Sequence, residues 1–209
     1  MICPCCNNGA LPRLKKMAIQ YFQCLNCQTL FCGDLPNENM VGGGNEVPRN
    51  VEQNPERIER FKTLCGGNVD GIKVLDFGAG TGYLVKDLKA AGFDADGFDP
   101  YNPEFSRLPE KDKYQLCTMV EVAEHLSKPF VEFDCIHRSL TKGAVLYIET
   151  SFIDVAQQEG IELEDFEYIE PKVGHSTIFS WHGLDCLLLM KGFVPTQHIN
   201  RHVRLYIKR

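Results

Sequence analysis

The sequence predicts an α/β protein: a doubly wound, mostly parallel sheet covered by helices, preceded by a small cysteine-rich segment. Three observations carry this. From Ile72 onward, short β-rich runs alternate with helical patterns, the order of a parallel sheet wrapped on both faces. The run "VLDF" ends at three glycines, Gly78, Gly80 and Gly82, that open a helical stretch. Six of the ten cysteines fall before Gly33.

A chain of 209 residues can hold one medium domain with a small appendage and bury a sizeable core. The formal net charge of -6 opposes a broad electrostatic footprint on phosphate backbones, so nucleic acid is disfavoured as a partner. No basic segment followed by a long apolar stretch opens the sequence, and the greasiest run, Leu187 to Met190, is far too short to span a bilayer. The expectation is a cytoplasmic protein without membrane association. Paired, short cysteine spacings at one end also suit metal ligation in a reducing compartment better than a disulfide framework.

In the head, residues 1–33, Cys3 and Cys6, then Cys24 and Cys27, are each separated by two residues. That spacing lets two thiolates from one tight turn reach the same ion, and two such knuckles supply the four tetrahedral ligands of zinc. The run between them, including "AIQYFQC", suits a strand pair, and the segment resembles a zinc ribbon. Cys5 could displace Cys3 or Cys6, and Cys32 could replace a member of the second pair. Four protein thiolates leave no open position for chemistry, so the expected metal is structural. The scattered Cys65, Cys117, Cys135 and Cys186 read as core fillers or ordinary thiols.

Residues 34–50 are rich in glycine, proline and asparagine and read as a linker, which leaves 51–209 as the main domain. "NPERIERFKTL" predicts a helix with Asn54 as cap, Pro55 in the first turn and Ile58, Phe61 and Leu64 or Cys65 as its apolar stripe. Strands follow at "IKVLDF", "FDADGFD", "YQLCTMV" and "AVLYIET", with helices at "GYLVKDLKAAG", "KPFVEFDCIHRSL" and "WHGLDCLLLMKGF". "VPTQHI" and "HVRLYIK" supply two last strands, and no strand is assigned between Tyr101 and Asp112.

The loop after the first strand of such a sheet lies at the ligand crevice, where glycines let the backbone approach a bound molecule. A dinucleotide fingerprint would place its third glycine where this chain has Tyr83, and a diphosphate would be repelled by Asp76. A ligand carrying an ammonium group and no phosphate would be attracted to Asp76, and S-adenosylmethionine is such a ligand. Asp99, at the tip of the next strand, is placed to accept hydrogen bonds from both ribose hydroxyls.

These residues resemble the class I S-adenosylmethionine-dependent methyltransferases, the broad group that includes ubiquinone-biosynthesis O-methyltransferases and sugar methyltransferases. "VLDFGAGTGYL" is similar to that family's first motif, "GFDP" to its second and "MVEVAEHLSKP" to the stretch after its fourth strand. "LTKGAVLYIET" resembles its fifth-strand segment, and "HSTIFSWHGLDCLLLMKGF" a late segment near the acceptor pocket. Some sugar methyltransferases of the group also carry a cysteine-rich zinc head. Gln115 departs from the pattern, standing where relatives often have Asp.

The resemblance implies a seven-stranded Rossmann-like sheet and a cofactor site of Asp76, Gly78, Ala79, Gly80, Gly82, Tyr83, Asp99 and Glu121. For the acceptor, the candidate bases are His125 and His175, whose ordinary pKa near 6.5 suits neutral pH. Glu121, Glu124 and His125 form an E-x-x-E-H triplet that looks like a divalent-metal site in ubiquinone-type relatives, which makes magnesium a further candidate. The acidic, aromatic-dotted stretch from Ser151 to Pro171 lies where this fold commonly covers its acceptor.

The leading expectation is methyl transfer to a small polar metabolite such as a sugar or phenol. The alternatives are an RNA or protein methyltransferase whose ribbon grips its substrate through Arg13, Lys15 and Lys16, or a non-catalytic cofactor-binding partner protein.

Overall fold

The computed structural model describes residues 1–33, 35 and 51–209. The linker assigned to residues 34–50 thus lies outside the described residues, apart from Leu35. Two sheets organise the molecule, one of four strands and one of six.

The smaller sheet is antiparallel and begins with β1 (Ala10–Lys16) and β2 (Ile19–Cys24), paired from Ala10↔Cys24 to Lys16↔Ile19. A short β3 (Leu30–Phe31) continues it beside β2. Its fourth strand comes from the far end of the chain and is described below.

The larger sheet starts after helix α1 (Asn54–Leu64), which buries Ile58 and Phe61 as its apolar spacing predicts. Asn54 does not cap this helix; Gln53 holds the cap position without a side-chain bond. The Asn54 amide instead donates to Asp87 at 2.7 Å and its carbonyl accepts from Arg57 at 3.1 Å, because Arg57 is buried on the same face and needs acceptors. Next come β4 (Lys73–Phe77), α2 (Tyr83–Ala90), β5 (Asp94–Phe98), β6 (Tyr114–Val120), α3 (Pro129–Ser139) and β7 (Leu140–Glu149). The chain then forms α4 (Ile153–Glu159), β8 (Thr177–Ile178), α5 (Trp181–Met190), β9 (Phe193–Asn200) and β10 (Val203–Lys208).

The strand order is β5-β4-β6-β7-β10-β9. The first four strands run parallel, while β10 is antiparallel to both its neighbours, so the doubly wound, mostly parallel expectation holds. Among the described residues this sheet has six strands rather than seven, since 101–113 forms turns and β5 ends the sheet. α1 and α2 pack on one face against Val74, Leu116 and Tyr147, and α3 and α5 on the other against Leu75, Cys117 and Leu146.

Cys117 is fully buried in that second core, as a filler reading predicts. Cys186 is only half-buried on α5, its Sγ 3.5 Å from His182.

The fourth strand of the small sheet is β8, paired antiparallel to β3 through Leu30↔Ile178 and Phe31↔Thr177. Cys3, Cys5, Cys24 and Cys27 lie in the same apolar cluster as Leu184, Leu187 and Leu188 of α5. A further cluster joins Leu14, Tyr21 and Leu30 of the head to Ile153, Leu163, Phe166 and Ile178. The cysteine-rich head is therefore built into the body rather than strung beside it.

Candidate functional site

In a parallel sheet the crevice opens at the carboxyl ends of the strands, and three loops meet there: those after β4, β5 and β6. The first is the glycine loop. Gly78 and Ala79 donate their amides to the Phe98 carbonyl at 2.7 and 3.0 Å, which staples the loop to the end of β5. Gly78 sits at φ +84° and its Cα faces Val122 so closely that a Cβ would overlap that side chain. Gly82, at φ +80°, caps α2, and a Cβ there would meet Phe105 at 2.6 Å. These two glycines are demanded by backbone hand and by tight packing together.

Asp99 accepts from the Gly80 amide at 2.9 Å and the Tyr101 amide at 2.8 Å, one on each oxygen. A carboxylate offers about four lone-pair positions, so two remain for hydroxyl donors. Asn102 completes the clasp by donating to the Gly80 carbonyl at 2.6 Å. Asp76 is buried at the end of β4 and accepts from the Thr118 hydroxyl at 2.7 Å. Tyr83 is exposed in the first turn of α2, with Lys86 Nζ 5.5 Å from its ring centre. A bare, anchored turn flanked by Asp76 and Asp99 suits a cationic ligand with a vicinal diol, which fits S-adenosylmethionine.

The loop after β6 joins this side to a second constellation. Glu121 adopts φ +53°, a left-handed conformation that side chains seldom occupy, and its amide donates to the Glu149 carbonyl at 2.8 Å. Val122 then covers Gly78, and a single 3-10 turn, Ala123–His125, carries Glu124 and His125. Glu124 is buried, with Oε1 accepting from the Tyr168 hydroxyl at 2.6 Å and Oε2 from Thr150 at 2.8 Å. His175 lies opposite, its ring centre 4.9 Å from that of His125. Both imidazoles place Nε2 at 4.0 Å from Glu124 Oε1.

His175 Nδ1 is 2.5 Å from the Tyr168 carbonyl. A carbonyl can only accept, so Nδ1 carries the hydrogen and Nε2 keeps its lone pair. Burial depresses the His175 pKa below its ordinary value despite the opposing pull of Glu124. The imidazole is therefore neutral near pH 7. Glu121 moves the other way: burial, then the charges of Glu124 and Glu149, push its carboxyl up to about 8. It keeps its proton at neutral pH, with Oε2 3.2 Å from the Tyr168 hydroxyl oxygen, whose single hydrogen goes to Glu124.

The E-x-x-E-H triplet is thus not brought together as a ligand set. Glu124, His125 and His175 lie with their ligand atoms within 4.8 Å of one another, and Glu121 stands outside that group. Thr150, which holds Glu124, ends the fifth-strand segment without standing out there, and Tyr168, the other partner of Glu124, belongs to no family motif. The one hint was an aromatic residue within the acidic run "EDFEYIEP". Arg57 was equally hidden: it clamps Glu149 through two contacts at 2.6 and 3.1 Å and is almost wholly buried. Burial pushes the Glu149 carboxyl up, yet the hydrogen bonds and charge of Arg57 hold it below its ordinary value.

In the head, Cys3, Cys6, Cys24 and Cys27 converge with all four Sγ atoms within 4.8 Å. The Cys3–Cys27 and Cys6–Cys24 sulfur pairs are 3.6 and 3.4 Å apart, near the roughly 3.8 Å edge of a tetrahedral zinc–thiolate site. Backbone amides of Cys5, Asn26 and Cys27 point at the sulfurs of Cys3 and Cys24, as a thiolate site requires. The donor set and its spacing fit zinc. Cys5 is buried outside the group, and Cys32 turns away to the Ser176 carbonyl.

The family model described as a methyltransferase domain matches residues 50–198. Among solved structures, the fold resembles magnesium protoporphyrin IX methyltransferase from Synechocystis PCC 6803 with bound S-adenosylhomocysteine. That likeness has a TM-score of 0.52 and 13% identity, covering 83% of this chain and 92% of that one. It also resembles the 1,6-didemethyltoxoflavin-N1-methyltransferase of Burkholderia thailandensis, bound to 1,6-didemethyltoxoflavin and S-adenosylhomocysteine. Here the TM-score is 0.50 and the identity 14%, over 88% of this chain and 97% of that one. At such identities the likeness is one of fold. No curated protein matches the sequence, and no helix among the described residues is long and apolar enough to cross a membrane. With the matched region spanning the glycine loop, both aspartates and both histidines, the chain belongs to the methyltransferase-domain family and is a class I S-adenosylmethionine-dependent methyltransferase.

Proposed function

We propose that this methyltransferase acts on an oxygen or nitrogen of a small polar metabolite, with His175 as the general base. The observation that carries this reading is the tautomer: the Tyr168 carbonyl holds Nδ1–H, so the Nε2 lone pair of a neutral imidazole is available. S-adenosylmethionine supplies an activated methyl group when bound. Asp99 would hold its ribose, Gly78, Ala79 and Gly80 would line its path, and Asp76 would attract its ammonium group. Tyr83 and Glu121 would border the same pocket. His175 Nε2 takes the acceptor's proton as the heteroatom gains the methyl group, and Glu124 steadies the imidazolium that results. His125, whose side chain is one-third exposed, would orient the acceptor at the mouth.

Magnesium plays no part in this scheme. It takes oxygen ligands, whereas the group near the crevice offers two imidazoles and one carboxylate whose oxygens already accept hydrogen bonds. Zinc at Cys3, Cys6, Cys24 and Cys27 would be structural, since four thiolates saturate it.

A small acceptor is favoured over RNA by the fate of the basic cluster. Arg13 pairs with Glu164 at 2.9 Å, and Lys16 donates to the Glu164 and Phe166 carbonyls at 3.2 and 3.1 Å. These cations hold the acidic cover of the crevice itself. The test is incubation of the full chain with labelled cofactor and a cell metabolite extract, with labelled products identified by mass spectrometry. His175→Gln should lower product formation by about 10²–10⁴-fold while S-adenosylhomocysteine affinity stays within about 2-fold. Asp99→Ala should abolish both. Transfer undiminished in His175→Gln would remove the base assignment.

A further inference from the structure

We propose that the cysteine-rich head is the rear wall of the acceptor side, and that Tyr21 is a positioning residue for His175. This rests on the reading of His175 as base. The Tyr21 hydroxyl donates to the His175 carbonyl at 2.6 Å, across 154 residues of sequence, from a side chain with no solvent exposure. One residue on, the Cys32 amide donates to the Ser176 carbonyl at 2.9 Å, and the Ser176 amide donates to the Glu124 carbonyl at 2.9 Å. The peptide carrying His175 is therefore gripped from the head on one side and from the Glu124 turn on the other.

The β3–β8 pairing extends that grip through Thr177 and Ile178. Lys16 secures the other end of the same segment at the Glu164 and Phe166 carbonyls. Tyr168, whose carbonyl sets the His175 tautomer and whose hydroxyl bonds Glu124, lies between these anchors.

The four candidate zinc ligands sit at the root of this arrangement. Cys24 ends β2, which carries Tyr21, and Cys27 lies just before β3. Ser180, the cap of α5, donates to the Cys27 carbonyl, and Gly183 packs against Thr29 so closely that a Cβ would overlap it. An ion joining Cys3, Cys6, Cys24 and Cys27 would fix β2 and β3 as one body, and with them the seat of His175. Among the described residues, Gly78, Ala79 and Gly80 of the glycine loop are hydrogen-bonded to Phe98, Asp99 and Asn102, all within the main sheet's own loops. Metal at the head should thus govern the acceptor side and leave cofactor binding intact.

The experiment uses the full chain with its zinc content measured. Tyr21→Phe keeps the ring and removes only the hydroxyl. Hydrogen exchange by mass spectrometry should show peptides within 164–178 exchanging about 10-fold faster in Tyr21→Phe and after zinc removal by a chelator. Peptides within 74–84 should be unchanged, and S-adenosylhomocysteine affinity by calorimetry should stay within about 2-fold. In the metabolite-extract assay, Tyr21→Phe should lower turnover about 10-fold in the parent chain and have no further effect in His175→Gln. Unchanged exchange at 164–178, a parallel loss of cofactor affinity, or an equal Tyr21→Phe effect in the His175→Gln background would each overturn the proposal. If His175→Gln alone leaves transfer intact, the base assignment falls, and the exchange data still decide the role of the head.

Discussion

The glycine-loop side and the His175 side of the crevice are held together by different means. Among the described residues, the hydrogen bonds that clasp Gly80 come from nearby in sequence: the Gly80–Asp99 bond spans 19 residues and the Asn102–Gly80 bond 22. Around His175, the ties reach back to the amino-terminal head, with separations of 154 residues for Tyr21 and 144 for Cys32. A locally closed loop keeps its shape when distant parts loosen. A wall assembled from two ends of the chain depends on both, and its order is the more readily lost. This difference teaches where regulation or damage would be felt first: cofactor binding should survive insults that disable acceptor chemistry.

Arg57 offers the harshest way to break that contrast. It ties α1 to Glu149 at the end of β7, and the Glu149 carbonyl anchors Glu121, so both sides lean on it. Arg57→Ala leaves a buried carboxylate uncompensated and should cost about 3–5 kcal/mol in denaturant unfolding, with both sides weakened together. Gly78→Ala is the next largest and is selective. A left-handed φ and the overlap with Val122 should cost on the order of 2–4 kcal/mol and reduce S-adenosylhomocysteine binding in calorimetry, while exchange at 164–178 stays at parent levels.

Glu121→Gln sharpens the comparison through pH. The folded carboxyl, raised to about 8, keeps a proton that the unfolded chain has already released above its ordinary 4.5. The parent therefore loses stability as pH climbs through that window. Glutamine carries no such penalty, so the melting temperature of Glu121→Gln relative to the parent should rise by a few °C, on the order of 1–2 kcal/mol, between about pH 5 and pH 8, and level off above. A constant difference across that range would remove the assignment. The smallest effect belongs to Arg13→Ala, which breaks a surface pair at the edge of the cover and should cost no more than about 1 kcal/mol by thermal melts.

Most elements were legible because their patterns are local. α1 and β6 cover the very residues their periodicity marks, Asn54–Leu64 and Tyr114–Val120. Asp76, the glycines and Asp99 were readable for the same reason, since a strand, a turn and the next strand occupy one short stretch. The two-residue strands β3 and β8 carry no pattern of their own; β3 is defined by its pairing with β2 and β8, and β8 by its pairing with β3. Tyr21, Tyr168 and Arg57 look like ordinary members of amphipathic runs until the fold gives their polar atoms a buried partner.

By itself, then, the sequence determined the class of the sheet, the bare turn between two carboxylates, and the paired thiols at the start of the chain. Each depends on spacings of a few residues, which backbone geometry converts directly into proximity. Only the tertiary structure decided that Glu124 meets His125 and His175 rather than Glu121, that Cys32 serves the seam instead of the thiol cluster, and that the head abuts His175. Those meetings follow from which apolar faces pack together over separations of 50 to 154 residues. Burial alone chooses among such pairings, and no short window of residues encodes its outcome.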